Sequence, residues 1–198
     1  MTPNLKGFES ALLIQANEVA VFTAASEAFN QANIKCSIED SINRFDPVFE
    51  AAKKNGIPVR GYVSCIAGCP YQGWVDPVKV REVSETLLEK GCYEVSLGDT
   101  IGVATPGAIA VVLKECLETI RPRQLALHLH DTYGQALANI LVGLQHGIET
   151  FDSSVAGLGS FSYITQLLSL NRRLSLCPGR LRKRRHRGRR LHDGRARH

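Results

Sequence analysis

Hydrophobic and polar positions follow two alternating patterns along residues 7–156. Short apolar or β-branched runs, typical of buried strands, are separated by longer segments with the period of an amphipathic helix. The predicted strands are 18–24, 59–65, 94–97, 125–129 and 149–155, and the predicted helices are 38–55, 77–90, 106–120 and 134–146. Strand–helix repetition with short loops predicts an α/β fold with a parallel sheet whose faces are covered.

Polar residues follow the ends of three predicted strands, at Asp99-Thr100, His130-Asp131 and Asp152-Ser153. A doubly wound sheet and a TIM barrel both fit the strand–helix alternation. The barrel is favoured because its active sites lie at this end of the strands, and because no Gly-rich phosphate loop follows any strand. We therefore expect a partial TIM (β/α)8 barrel in which about five of the eight strands are present.

Composition excludes some classes of protein. Hydrophobic residues make up 44% of the chain and charged residues 22%, and no apolar run approaches the roughly 20 residues that span a bilayer. We expect neither a membrane protein nor a cleavable leader. The six cysteines form no CxxC pair, which is typical of small buried residues in a reducing compartment and argues against a zinc site.

The strongest chemical signal is the strand end Leu125–Asp131, which reads LALHLHD. Side chains alternate along a strand, so His128 and His130 share one face and Asp131 points to the other. Burying two imidazoles inside an apolar run costs free energy unless their nitrogens are paired. The pattern predicts that they bind one divalent metal ion, and a polar barrel lining without metal is the alternative.

Other candidate site residues lie on neighbouring strands. Asp99 ends the strand before the histidines and is interpreted as a base or an orienting group for metal-bound water, with a helix N-cap as the alternative. Arg60 and Tyr62 share a face and suit a carboxylate or thioester oxygen, or else anchor a surface strand. Cys69, in a rigid Gly-Cys-Pro-Tyr loop, is interpreted as structural rather than nucleophilic.

Several of these segments together resemble the hydroxymethylglutaryl-CoA lyase family. The resemblance runs from Thr2 to Gly159, about 80% of the chain. It is carried by TPNLKGFE, RGYVSC, GCPYQG, GCYEVSLGDTIGVATPG, LHLHDTYGQALAN and DSSVAGLG. Isopropylmalate and homocitrate synthases share the His-x-His feature without the whole set, and remain an alternative.

The resemblance implies cleavage of 3-hydroxy-3-methylglutaryl-CoA to acetyl-CoA and acetoacetate, a step of leucine degradation and ketone-body formation. The implied cofactor is Mg²⁺ or Mn²⁺, held by His128 and His130. His128 is also linked to acid/base chemistry, and Asp99 and Ser96 match polar residues near the reacting centre. Arg60 and Tyr62 match the strand that faces the acyl-CoA substrate. Family members are expected to be homo-oligomers in the mitochondrial matrix, with the cytoplasm as the alternative location.

The resemblance also predicts parts that this sequence lacks. The family's first strands carry an Arg-Asp pair, whose Asp binds the metal, and we expect them to precede Met1. The family continues after VAGLG with a catalytic Cys and then an Asn that completes the metal shell, whereas this chain continues with Ser160-Phe-Ser-Tyr-Ile. The hypothesis is a chain that is truncated at its start and inactive as given.

The end of the chain has a different composition. Residues 172–198 contain 12 of the 24 Lys and Arg but one acid, Asp193, so residues 1–171 are net acidic although the whole chain carries +5. Nucleic-acid binding through this basic tail is an alternative function. The preferred interpretation divides the chain into a lyase domain, 1–159, and a non-family tail, 160–198, that is disordered.

The tail is consistent with a shifted reading frame. Suitable codons for residues 173–179, moved by one base, encode Gly-Cys-Pro-Tyr-Ala-x-Gly, the family's continuation. A retained intron between Gly159 and Arg172 would produce that shift, and it would imply a eukaryotic source. On this hypothesis the missing Cys is encoded across Leu174 and Ser175, and the missing Asn across codons 183–184. The transcript across these codons tests it.

Overall fold

The computed structural model describes residues 1–154. Five parallel strands form one sheet, and seven α-helices lie along the same stretch of chain. The elements are α1 (Leu5–Leu13), β1 (Val19–Ala24), α2 (Glu27–Ile34), α3 (Ile38–Asn43), α4 (Asp46–Asn55), β2 (Val59–Ser64), β3 (Gly68–Cys69), β4 (Gly73–Trp74), α5 (Pro77–Glu89), β5 (Cys92–Asp99), α6 (Pro106–Cys116), a 3₁₀ turn (Pro122–Gln124), β6 (Leu125–Leu129), α7 (Ala136–Gln145) and β7 (Thr150–Phe151). The predictions for the tail, 160–198, lie outside the described residues.

The order of the strands in the sheet follows their order in the chain. Its strand order is β1-β2-β5-β6-β7, and each pair is parallel. A doubly wound sheet reverses direction at a switch point, and this order has no reversal. Helix α5 contacts α6, and α6 contacts α7, as in the helical layer around a barrel. The fold confirms the predicted partial TIM barrel.

The hydrophobic core fills the space between this sheet and its helices. Fully buried residues alternate along the strands, for example Val95 and Leu97 of β5 and Leu127 of β6. They pack against buried residues of the helices, such as Leu87 of α5 and Leu113 of α6. The positions between them face the other side of the sheet and include the polar residues Glu94, Ser96 and His128. The candidate site residues therefore lie on the sheet face opposite these core residues.

Capping residues explain where the helices begin. Thr105 accepts a hydrogen bond from the Ala108 N–H, Asp76 accepts one from the Val78 N–H, and a proline follows each cap. The cap side chain satisfies a free backbone donor, and proline fits the first turn because it has no N–H to lose.

Among residues 1–154, none of the helices combines the length and the apolar character that a membrane span requires.

Some predicted boundaries differ from the structure. The helix predicted for 38–55 is two helices, α3 and α4, because Pro47 has no N–H and cannot continue a helical ladder through Phe45. Helices α1 and α2 and the β3–β4 hairpin were not predicted. The structure describes the last predicted strand, 149–155, as Thr150–Phe151, and residue 155 lies outside the described part.

Candidate metal centre

The two histidines of β6 and the following loop converge, as the strand alternation predicts. His128 Nε2 lies 3.2 Å from His130 Nε2, and the ring centroids are 5.1 Å apart. The His128 side chain is 42% exposed, so the pair is open to a ligand. His130 also hydrogen-bonds the backbone of Thr100, and burial together with the charge of His128 lowers the pKa of His130.

A divalent ion fits this pair of nitrogens. Octahedral ions such as Mg²⁺ take ligands at about 2.1 Å, so two adjacent ligand atoms lie about 3 Å apart. The observed separation of 3.2 Å matches that spacing. Among residues 1–154 no group of three or more His, Cys, Asp or Glu is arranged to hold a metal. The candidate metal ligands in this part of the chain are therefore the two imidazoles.

Asp152, directly after β7, connects the pair to the rest of the polar face. Its Oδ2 lies 3.2 Å from His128 Nδ1 and accepts a hydrogen bond of 2.8 Å from Ser96 Oγ. Its Oδ1 accepts a 2.7 Å hydrogen bond from Arg60 Nη1. Burial favours the neutral acid, but the hydrogen bond with His128 and the charge of Arg60 lower the pKa of Asp152 to about 2.

The contact with Asp152 orients the imidazole of His128. A carboxylate at Nδ1 favours the tautomer that carries its proton there, which leaves the Nε2 lone pair free to bind a metal. The sheet register brings these groups together, because Gly98 of β5 pairs with His128, and Ala126 pairs with both Ser96 and Thr150.

Arg60 on β2 is buried and heavily paired. Its Nε donates to Glu94 Oε1 at 2.7 Å, and its Nη1 donates to the Tyr62 hydroxyl at 2.6 Å as well as to Asp152. Burial opposes the charge, but the attraction of Asp152 outweighs it and raises the pKa of Arg60. Its Nη2 is buried and has no hydrogen-bond partner among the described residues.

Tyr62 links the guanidinium to the imidazole. The Arg60 guanidinium carbon lies 5.0 Å from the Tyr62 ring centroid, which is a cation–π distance. The Tyr62 ring also makes a T-shaped contact with the His128 ring, with centroids 6.3 Å apart. Burial is the largest cause of the raised pKa of Tyr62. The predicted residues Arg60, Tyr62, Ser96, His128 and His130 thus form one cluster.

Asp99 lies outside that hydrogen-bonded cluster. It is fully buried, and its Oδ2 accepts the backbone N–H of Ala104 at 3.0 Å. It therefore closes the loop after β5, and burial raises its pKa. Its charge interacts with His130, while its Oδ1 has no partner among the described residues. Its role as a base stays a prediction.

Two residues of the cluster were not among the predicted site residues, Asp152 and Glu94. Asp152 was noted as a polar residue after a strand, but the small residues that follow it suggested close approach of a ligand instead. Glu94 was assigned to a strand without a role. Alternation along β5 puts Glu94 on the Ser96 face, and that signal could have identified it as the partner of Arg60.

Comparisons with known proteins identify the family of this chain. A family model described as HMGL-like matches residues 1–176. The mitochondrial hydroxymethylglutaryl-CoA lyase of Bos taurus is 56% identical over 82% of this chain and 50% of the relative. The cytoplasmic 3-hydroxy-3-methylglutaryl-CoA lyase of Danio rerio is 58% identical over 80% of the chain and 48% of the relative. The chain thus spans about half the length of these relatives.

The same relationship holds in three dimensions. The crystal structure of the hydroxymethylglutaryl-CoA lyase from Pseudomonas aeruginosa superposes with a TM-score of 0.80 at 57% identity. It is matched over 83% of this chain and 56% of that chain. The chain therefore belongs to the HMGL-like family, whose hydroxymethylglutaryl-CoA lyases it resembles over most of its described length.

Proposed function

We propose that this chain carries part of the active centre of a metal-dependent hydroxymethylglutaryl-CoA lyase. The reaction would cleave a carbon–carbon bond of 3-hydroxy-3-methylglutaryl-CoA to give acetyl-CoA and acetoacetate. The observation that carries the proposal is the 3.2 Å spacing of the His128 and His130 Nε2 atoms beside the Asp152 carboxylate. The relatives compared above carry lyase names, which favours this function over a synthase or a nucleic-acid-binding protein.

The proposed roles follow from the contacts. His128 and His130 would hold Mg²⁺ or Mn²⁺, which when bound would polarise the oxygens of the acyl-CoA substrate. Asp152 orients His128 through Nδ1, as the carboxylate does in catalytic Asp–His pairs. Ser96 and Arg60 hold Asp152 in place, and the remaining Arg60 Nη2 donor faces no described partner.

Metal binding by the full chain tests the ligand assignment. Titration with Mn²⁺, followed by loss of the free-ion electron paramagnetic resonance signal, should show binding that falls by about 10-fold or more in His130→Ala. The matched control is His146→Ala, because the His146 Nδ1 contacts the Val142 carbonyl at the end of α7. Equal affinities for wild type and His130→Ala would contradict the assignment.

A chimaera tests the reaction itself. Residues 1–154 would replace the aligned segment of the Pseudomonas aeruginosa lyase, with Mg²⁺ and 3-hydroxy-3-methylglutaryl-CoA supplied. We expect acetoacetate formation that is lost on His128→Ala. A folded chimaera with no turnover, or one whose turnover survives His128→Ala, would refute the proposed function of these residues.

We propose a mitochondrial location for the chain. The compared relatives include mitochondrial and cytoplasmic proteins, so a test must separate the two compartments. Cell fractionation of the endogenous protein, with antibodies against matrix and cytosolic markers, does so. Recovery with the cytosolic marker would overturn the mitochondrial proposal.

A further inference from the structure

Glu94 is a member of the polar cluster to which the proposed reaction assigns no role. It is buried on β5, in register with Arg60 of β2. Its Oε1 accepts a hydrogen bond of 2.7 Å from Arg60 Nε, which makes the two side chains a buried ion pair. Such a pair contributes little net stability, because desolvation of both charges offsets their attraction. The pair therefore calls for a role other than stability.

Glu94 lies too far along its strand to bind a metal ion at the two histidines. His128 pairs with Gly98 of β5. Glu94 comes four residues before Gly98, which corresponds to about 13 Å along an extended strand. Alternation places Glu94 and Gly98 on the same sheet face. An effect of Glu94 on the metal centre must therefore come from its charge or through the groups that lie between.

Those intervening groups form a continuous series of contacts. Arg60 Nη1 donates to Asp152 Oδ1 at 2.7 Å, and Asp152 Oδ2 lies 3.2 Å from His128 Nδ1. The order of the groups, starting at Glu94, is carboxylate, guanidinium, carboxylate and imidazole. The imidazole points its other nitrogen, Nε2, at His130. The charge of Arg60 is thus separated from the candidate metal centre by one carboxylate and one ring.

The charge of Arg60 opposes a cation at His128. Like charges repel more strongly at a buried site than in water, because the effective dielectric constant is lower. Asp152 alone would cancel the guanidinium and leave no net attraction for the ion. Glu94 adds a second carboxylate, so one cation and two carboxylates leave these three side chains with a net charge of −1. Asp152 contributes its full charge at neutral pH, because its pKa is about 2.

We propose that Glu94 is a positioning residue of the metal centre, whose carboxylate compensates the charge of Arg60 and leaves that of Asp152 for a cation held by His128 and His130. With Glu94 in place, the guanidinium holds Asp152 without repelling the ion. This inference rests on the proposed function, because it requires that the two imidazoles bind a divalent metal.

Two substitutions of Glu94 separate its charge from its shape. Glu94→Gln keeps the size of the side chain and the acceptor oxygen for Arg60, whereas Glu94→Asp keeps the charge on a shorter side chain. In Mn²⁺ titrations of the full chain, followed by the electron paramagnetic resonance signal of the free ion, Glu94→Gln should bind about fivefold or more weakly than the wild type, and Glu94→Asp within about twofold of it. A purely structural role predicts the opposite order of the two variants.

The matched control is Glu18→Gln, which removes the same charge at the other end of the strands. Glu18 directly precedes β1, and its Oε2 accepts a hydrogen bond of 2.8 Å from the Tyr93 hydroxyl at an exposed position. Water and salt screen an exposed charge from a distant site. The control should therefore bind Mn²⁺ as tightly as the wild type.

A double variant keeps the proposal testable where Glu94→Gln fails to fold. Arg60→Gln combined with Glu94→Gln removes both members of the buried pair and so leaves no uncompensated guanidinium. With circular dichroism that matches the wild type, it should bind Mn²⁺ within about threefold of the wild type, because the charge of Asp152 is no longer cancelled. A larger loss of affinity would overturn the compensating role.

The remaining outcomes distinguish this inference from the proposed function. Wild-type affinity in a folded Glu94→Gln variant would overturn the inference and leave the metal site intact. Weaker binding by Glu94→Asp than by Glu94→Gln would also overturn it, because shape would then matter more than charge. A wild-type chain that binds no Mn²⁺ would contradict the proposed metal site, and this inference with it.

Discussion

The carboxylate of Asp152 is the centre of the polar cluster. Three donor groups, from Arg60, Ser96 and His128, converge on its two oxygens. The side chain is 17% exposed, and that of Arg60 is 10% exposed. Removing one partner of a buried ion pair leaves the other charge poorly solvated, so the cost exceeds that of a surface pair.

Asp152→Asn should lower the free energy of unfolding by about 2 kcal/mol, the scale of a hydrogen bond to a charged group. The amide is the same size as the carboxylate, but its NH₂ faces donors and the negative charge is lost. Urea unfolding followed by circular dichroism measures the change.

The matched control for Asp152→Asn is Glu82→Gln on α5. Its carboxylate pairs with Lys79 at 3.3 Å, and both side chains are about half exposed. An exposed ion pair contributes less than about 1 kcal/mol, so the control should unfold almost as the wild type does. Equal effects of the two substitutions would show that the Asp152 network adds no particular stability.

Residue-level prediction succeeded where the information is local. Two histidines at i and i+2 in a strand share a face whatever surrounds them, and their convergence was predicted correctly. Asp152 was missed because its partners Arg60 and Ser96 are 92 and 56 residues away in the chain. No period within one strand encodes a contact between strands.

At the scale of elements, the packing of α7 against the sheet depends on one glycine, Gly143. A Cβ at Gly143 would lie 2.6 Å from Leu127 Cδ1 of β6 and 3.0 Å from Phe151 Cε1 of β7. Both neighbours belong to buried strand residues with little room to move. The missing side chain therefore sets how closely α7 approaches β6 and β7, and both of these strands end at the candidate metal centre.

Gly143→Ala should destabilise the chain by about 1–3 kcal/mol, the typical cost of overpacking a core. The matched control is Gly107→Ala in the first turn of α6, where the nearest atom to an added Cβ is Thr105 Oγ1 at 3.9 Å. That substitution should be neutral or stabilising by up to about 1 kcal/mol. Thermal unfolding of both variants measures the contrast, and a stabilised Gly143→Ala would contradict this packing argument.

Prediction of the elements failed where the apolar period continued across a break between two helices. The apolar period of 38–55 continues across Phe45, so a single helix was predicted, although a second helix begins at Asp46 with Pro47 in its first turn. The β3–β4 hairpin pairs Gly68 with Trp74 and Cys69 with Gly73. Strands of two residues are too short to show a period, which is why this hairpin was invisible in the hydrophobic pattern.

At the scale of the molecule, the described residues form an open arc of five parallel strands. A TIM barrel closes with eight. The described residues also bring two imidazoles together at the candidate metal centre. The proposed metal binding and the proposed turnover can be measured separately on this chain.

The 198-residue chain alone should show no cleavage of 3-hydroxy-3-methylglutaryl-CoA with Mg²⁺ above the level of its His128→Ala variant. Coupled detection of acetoacetate measures this, with the chimaera described above as the positive control. Turnover well above the His128→Ala variant would show that residues 1–198 assemble a working centre by themselves.

The sequence by itself determined the α/β class, the strand–helix alternation, the polar strand ends and the shared face of His128 and His130. Each of these follows from a short-range period or from adjacent residues. The tertiary structure decided that Arg60, Ser96 and His128 meet at Asp152, and that Asp99 closes a loop. These contacts depend on strand register and on the turns that follow the strands, which bring together groups that no local pattern relates.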